Sequence, residues 1–284
     1  MTTRGRAGHS LLELMVALAM LAIVLAAVLG TTLRSWRANR DHGARAEART
    51  QLEAGMFAVA TDLRPLSATA GDLAPGEARD SAVEIRALVV TGAICDTAAG
   101  RLAMQPAAAP DLLDRPTVPA VGDEAWSFAD DDSGGRWHAA TVTSARRTTV
   151  VGGRCARDGS AMHLALSDAD WPHALGAPVR VTRRARWSAY RTADGWFLGR
   201  REWSPGLLRF DVVQPVAGPL APYGAASGLE LRYFDAAGGA LPAATTETAR
   251  VARLEVTLRA PRGGHAPTDS QRVVLPLDRG DGAP

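Results

Sequence analysis

Charge imbalance, cysteine and the signatures of catalysis are all scarce in this chain. Its 284 residues carry 32 basic and 30 acidic side chains, a formal charge of +2. No strong global field therefore draws it to nucleic acid or to acidic substrates. Lysine is absent, and the arginine bias, with abundant Ala and Gly, fits a GC-rich coding preference as well as any physical demand. H-E-x-x-H, G-x-S-x-G, Walker A and G-x-G-x-x-G patterns are missing and the six His are scattered, so the sequence specifies no catalysis, no metal centre and no cofactor. The nearest thing to an enzyme site is a hydrolytic set drawn from His138, His163 or His173 with Asp168 and Asp170. Surface and loop residues are the plainer reading of that set. Asp130, Asp131 and Asp132 offer oxygen ligands for calcium but lack EF-hand spacing, and read as an exposed, solvated turn.

The two cysteines, Cys95 and Cys155, both lie beyond the apolar segment described next. If that region is extracytoplasmic, an oxidising compartment favours a bridge between them. Closing a loop of about 60 residues stabilises a fold by roughly 4 kcal/mol in the chain-entropy view. Two free buried thiols are the alternative.

What the chain does have is one long hydrophobic run. Leu11 to Gly30 reads LLELMVALAMLAIVLAAVLG, which as a helix spans roughly 30 Å and matches a bilayer core. Arg4 and Arg6 precede it with no acid, a cationic flank expected on the cytoplasmic side. Arg34, Arg37 and Arg40 on the far side oppose that bias. An ordinary signal peptide has a shorter apolar run, and only Val28-Leu29-Gly30 resembles a cleavage site for one. Such a peptide also leaves Glu13 unexplained. A charged acid in a membrane helix costs on the order of 2.5 to 3.5 kcal/mol. Two simple accounts exist: Ser10-Leu11-Leu12-Glu13 has capping-box spacing, and the acid can lie near hydrated headgroups.

The residues around Glu13, Gly8-His9-Ser10-Leu11-Leu12-Glu13-Leu14-Met15-Val16, resemble the prepilin cleavage motif of type IV pilins and type II secretion pseudopilins. The resemblance implies cleavage after Gly8 by a prepilin peptidase, with His9 as the new N-terminus and site of N-methylation. The family usually has Phe at that position. Glu13 becomes the fifth mature residue and is expected to face the α-amino group of an adjacent subunit within the fibre. An acid and an amine buried together cost far less than either alone, and such a pair also fixes register between helices.

Beyond the membrane the helix is expected to continue. Ala48, Leu52, Met56, Val59 and Leu63 recur at three- and four-residue steps, while Arg45, Glu47, Arg49 and Glu53 take other faces. Arg64-Pro65 is the stop. Gly43 and Gly55 lower the helix propensity of the stretch.

After Pro65 short strand-like runs alternate with Gly, Pro, Asp and Ser clusters. Val83 to Val90, Ala140 to Val151 and Met162 to Leu166 are expected strands, and Ala98 to Asp123 a long loop. Val179 to Trp203 reads as a hairpin turning at Asp194-Gly195. Its aromatics Trp187, Tyr190, Trp196, Phe197 and Trp203 suit core packing and cross-strand pairs, with a sugar- or partner-binding surface as the alternative. Arg180, Arg183, Arg184 and Arg186 read as a charged outer strand face, with DNA contact as the alternative. Leu229 to Phe234 is expected to pair with Val251 to Leu258, and Arg272 to Leu277 to close the chain as a last strand. The class is α+β: a long N-terminal helix, half transmembrane and half amphipathic, packed on an antiparallel sheet. The order of hairpin, G-L-E-L-R-Y-F-D and R-V-A-R-L-E-V-T-L over Arg180 to Arg259 is similar to PilW-like minor pilins and the J-type minor pseudopilin.

Taken together, residues 1–8 are expected to be a prepilin leader, 9–64 the helix with 11–30 in the membrane, and 65–284 an extracytoplasmic, periplasmic domain. The resemblance implies an inner-membrane, non-enzymatic subunit of a type IV pilus or type II secretion system. Its partners are other pilin or pseudopilin subunits, the prepilin peptidase and the inner-membrane assembly platform. Rival readings are a membrane-anchored or secreted binding protein with a conventional signal-anchor, and a periplasmic hydrolase.

Overall fold

The computed structural model describes residues 11–106, 118–129, 136–148, 155, 161–168, 170, 171, 174–224, 226–261 and 269–277. One helix, α1 (Leu11–Leu63), opens the described chain and runs unbroken through Gly43 and Gly55 before Arg64-Pro65. Contacts divide the chain into two units between Arg49 and Thr50.

In the first unit, each large apolar side chain from Leu11 to Leu29 is more than half exposed. The segment is long and apolar enough to cross a membrane.

In the second unit, α1 buries Leu52, Met56, Val59 and Leu63, the three- and four-residue stripe of an amphipathic helix. Gly55 lies on this buried face, where a Cβ would fall 2.6 Å from Ala217, 3.2 Å from Leu258 and 3.3 Å from Leu198.

Ten strands follow: β1 (Leu73–Ala78), β2 (Ala82–Ala98), β3 (Arg101–Pro106), β4 (Glu124–Ala129), β5 (Arg136–Thr148), β6 (Ala161–Leu166), β7 (Pro178–Thr192), β8 (Gly195–Ser204), β9 (Arg209–Phe210) and β10 (Gln214–Leu220). They form one sheet. A second sheet holds β11 (Leu229–Phe234), β12 (Ala240–Leu241), β13 (Arg253–Arg259) and β14 (Ser270–Pro276) in the order β12-β11-β13-β14. Every pairing is antiparallel. Leu229 pairs Leu258 and Phe234 pairs Arg253, close to the partnering read from the alternation. The turn at Asp194-Gly195 joins β7 to β8, with Gly195 at φ +135°, a conformation glycine tolerates.

The middle third departs from expectation. The stretch read as a loop from Ala98 to Asp123 contains β3, and β4 follows it immediately. The two long strands β2 and β7 pair from Ala82↔Ser188 to Ala93↔Pro178. The pairings β2–β3, β3–β6, β6–β5, β5–β4 and β4–β7 return to that pair. These six strands thus close a small antiparallel barrel, which removes the unpaired edges of an open sheet. Its interior holds Val90, Ile94, Leu102, Met104, Val142, Met162, Leu164 and Val181. A bulge at Cys95 shifts the register between Ile94 and Asp96, turning Ile94 inward and Asp96 outward.

Candidate assembly site

Glu13 stands in the first turn of α1, where a carboxylate is favoured by the helix dipole. It is the single acid among the apolar side chains from Leu11 to Leu29, and it is exposed. Helix geometry sets Val16 and Ala17 one turn from Glu13 and Met20 two turns away, so its neighbours on that face are apolar. Gly8 and His9, the expected cleavage and methylation positions, lie outside the described residues. So do Asp130, Asp131, Asp132 and His173.

The globular unit is organised around buried ion pairs. Asp62, on the last turn of α1, accepts from Trp187 Nε1 at 3.1 Å and from Arg200 Nε at 2.6 Å. Arg200 also donates to Glu202. Glu202 accepts from Arg183 Nη1 at 2.8 Å, and Arg183 grips Asp123 with Nε and Nη2 at 2.8 and 2.9 Å. A chain of alternating charge therefore runs from α1 through β8 and β7 to the segment before β4. Burial pushes the Glu202 carboxyl up, but the hydrogen bonds from Arg200 and Arg183 outweigh it and hold the group below the ordinary range. At Asp72 the balance reverses. Burial is the larger effect there and raises the carboxyl despite the Arg180 guanidinium 2.8 Å away.

These contacts, with β7 paired to β2, β4 and β8, correct the reading of its arginines as a charged outer strand face. Arg180 pairs with Asp72, Arg183 with Asp123 and Glu202, Arg184 with Glu84, and Arg186 with Glu77. Each guanidinium is directed to a carboxylate of the same unit, which leaves little of its charge to a phosphate backbone. Arg180 also lies over the rings of Trp126 and Trp137. Asp72, Asp123 and Glu84 lie 108, 60 and 100 residues from the arginines they meet, beyond the reach of local sequence pattern.

Of the hairpin aromatics, Trp187 is buried at 1% exposure. Tyr190 meets Phe197 at 6.1 Å across β7 and β8, and Trp203 meets Phe210 edge-on at 5.3 Å. Burial and cross-strand packing account for these four, and Trp196 stands opposite Arg191 on β7. His138 lies on β5 opposite Ser127, and His163 on β6 opposite Arg146. Asp168 accepts from the backbone N–H of Asp170 at 2.9 Å, a local turn contact. Among the described residues no three His, Cys, Asp or Glu gather as a metal site. Cys95 and Cys155 are joined by a disulfide that ties residue 155 to the outer wall of β2, packed with Ala103 and Ala161.

Comparison with known proteins adds one match. Residues 3–29 match the prokaryotic N-terminal methylation motif, the prepilin type. No curated protein and no solved structure matches the chain. The motif implies cleavage by a prepilin peptidase and assembly with other pilins, and points to a structural subunit rather than an enzyme. With the apolar helix it fits a single-pass, membrane-anchored protein. The match supports a type IV pilin-like family for this chain.

Proposed function

We propose that the chain is a minor pilin or pseudopilin that works in fibre initiation or at the fibre tip of a type IV pilus or type II secretion system. The observation that carries this reading is the methylation motif over residues 3–29, laid on a helix whose apolar surface is interrupted by Glu13 alone up to Leu29. Residues 1–8 are the leader, removed after Gly8; His9 becomes the methylated N-terminus. Residues 9–64 form the assembly helix, with 11–30 in the inner membrane. Residues 65–284 sit in the periplasm before extraction by the assembly platform.

The mechanism is templating. In lipid the apolar side chains are solvated by acyl chains; in the fibre they pack on neighbouring helices. Glu13 then needs a cation, and the amine exposed by cleavage on a neighbouring subunit supplies one. A buried acid and amine that meet cost much less than either alone, so the pair selects one axial register. The similarity of residues 180–259 to PilW-like minor pilins and the J-type minor pseudopilin, together with a chain larger than a typical major pilin, supports an initiating or tip position. An oxidising periplasm also suits the Cys95–Cys155 bridge.

The test is Glu13→Leu expressed in the native host. Membrane insertion stays intact and incorporation into fibres falls sharply. Normal incorporation refutes the role assigned to Glu13.

A further inference from the structure

The closed barrel carries a surface cleft apart from the N-terminal helix. Its outer wall across β2, β3, β6 and β5 is hollowed into an open cleft of about 570 Å³. Register builds the cleft in two adjacent cross-strand rows. One runs Asp96↔Ala103↔His163↔Arg146 and the next Arg101↔Ala165↔Ser144. Directly opposed side chains in antiparallel strands have Cβ atoms about 5 Å apart, and diagonal neighbours about 7 to 8 Å. Arg101, His163 and Arg146 therefore rise from three neighbouring strands around a floor made shallow by Ala103 and Ala165.

Two features distinguish this exposed cluster from the paired arginines of β7. The β7 arginines at 180, 183, 184 and 186 each have a carboxylate partner, whereas among the described residues neither Arg101 nor Arg146 is paired with one. Asp96, the acid lining the cleft, accepts instead from the backbone N–H of Thr97 at 2.9 Å. The cleft is also braced along its β2 side. The bulge at Cys95 aims Asp96 outward, and the Cys95–Cys155 disulfide fixes residue 155 to the strand that carries Asp96.

We propose that this cleft binds a phosphate-bearing ligand. Each guanidinium presents five N–H donors and the imidazole adds one or two, together more than the roughly four acceptor sites of a carboxylate can take up. Several phosphate oxygens use them fully, and arginine forks match phosphate geometry. Ser144 at the cleft edge supplies a neutral hydroxyl for a ligand's ester or sugar oxygen. This site goes beyond the assembly role and does not depend on it, since it lies on the barrel and not on the helix.

Calorimetric titration of inorganic tripolyphosphate into the full chain in detergent tests the proposal. Saturable binding is expected, weakened about tenfold or more by Arg101→Ala or Arg146→Ala, less by the matching Lys variants, and unchanged by Arg209→Ala on β9, which removes equal charge elsewhere. Thermal unfolding of each variant reports whether its fold is retained. Competition then identifies the source. Displacement by glycerol 3-phosphate marks a soluble or glycan-borne monoester, and displacement by short-chain phosphatidylglycerol marks a lipid headgroup; either supports the site. Unsaturable binding, equal weakening by Arg209→Ala, or indifference to Arg101 and Arg146 in folded variants overturns it. Tighter binding to a duplex oligonucleotide than to tripolyphosphate overturns the small-ligand assignment.

Discussion

Asp62 and Arg200, 138 residues apart in sequence, meet at 2.6 Å with side chains only 4% and 13% exposed. The same Asp62 oxygen receives the indole N–H of the buried Trp187, so one carboxylate ties the end of α1 to both strands of the β7–β8 hairpin. Removing one member of a buried pair leaves the other charge without compensation. Asp62→Ala is therefore expected to cost about 3 kcal/mol or more. Asp62→Asn, which keeps an acceptor for Trp187, costs less. Urea unfolding of the detergent-solubilised chain, followed by tryptophan fluorescence, measures both; equal stability of Asp62→Ala and wild type contradicts the assignment.

Glycine at two points of α1 gives opposite expectations. At Gly43 nothing lies within 4 Å of the position a Cβ would take, so Gly43→Ala gains helix propensity of about 1 kcal/mol. Gly55 would drive a Cβ to 2.6 Å from that of Ala217, and its substitution by Ala forces the helix off β10 and destabilises the globular unit. Helicity by circular dichroism and unfolding midpoints distinguish the two. A stabilised Gly55→Ala protein shows that the close approach is relaxed in solution.

The disulfide between Cys95 and Cys155 closes a separation of 60 residues, which corresponds to roughly 4 kcal/mol of loop entropy. The paired Ser variant, or wild type under reductant, is expected to unfold at markedly lower urea. An unchanged midpoint means the barrel holds this connection without the bond.

Acid stability follows from Glu202. Its pKa is lower in the folded protein than in the free side chain, because the pull of Arg200 and Arg183 exceeds the effect of burial. The unfolded chain therefore binds the proton first as pH falls, and the contribution present at neutral pH is lost below about pH 4. Asp72 has the opposite sign. Its folded pKa is raised, so its contribution favours the folded state as pH falls and is lost as pH rises through the folded value. Glu202→Gln is predicted to flatten the acid limb of a melting temperature against pH curve. An acid limb as steep as wild type's assigns the dependence to other groups.

Local pattern revealed those parts of the molecule whose determinants are local. Leu52, Met56, Val59 and Leu63 follow the helical period, and Asp194-Gly195 supplies the positive φ of its turn. Gly8 to Glu13 is a contiguous motif, readable without any fold. The barrel was not legible because its closure rests on partners distant in sequence, such as Met104 with Met162 and Ser127 with Val179. β3 and β4 are six residues each, set beside a Pro- and Ala-rich stretch that reads as loop. The arginines of β7 were visible, but not their carboxylates: Asp72 reaches Arg180 across 108 residues.

The central claim rests on what happens at Gly8. Intact mass and N-terminal sequencing of the protein purified from its native membrane test it most directly. The account predicts a chain that begins at His9 and carries an N-methyl group. A chain that retains Met1 to Gly8, or one that begins near Thr31, contradicts it.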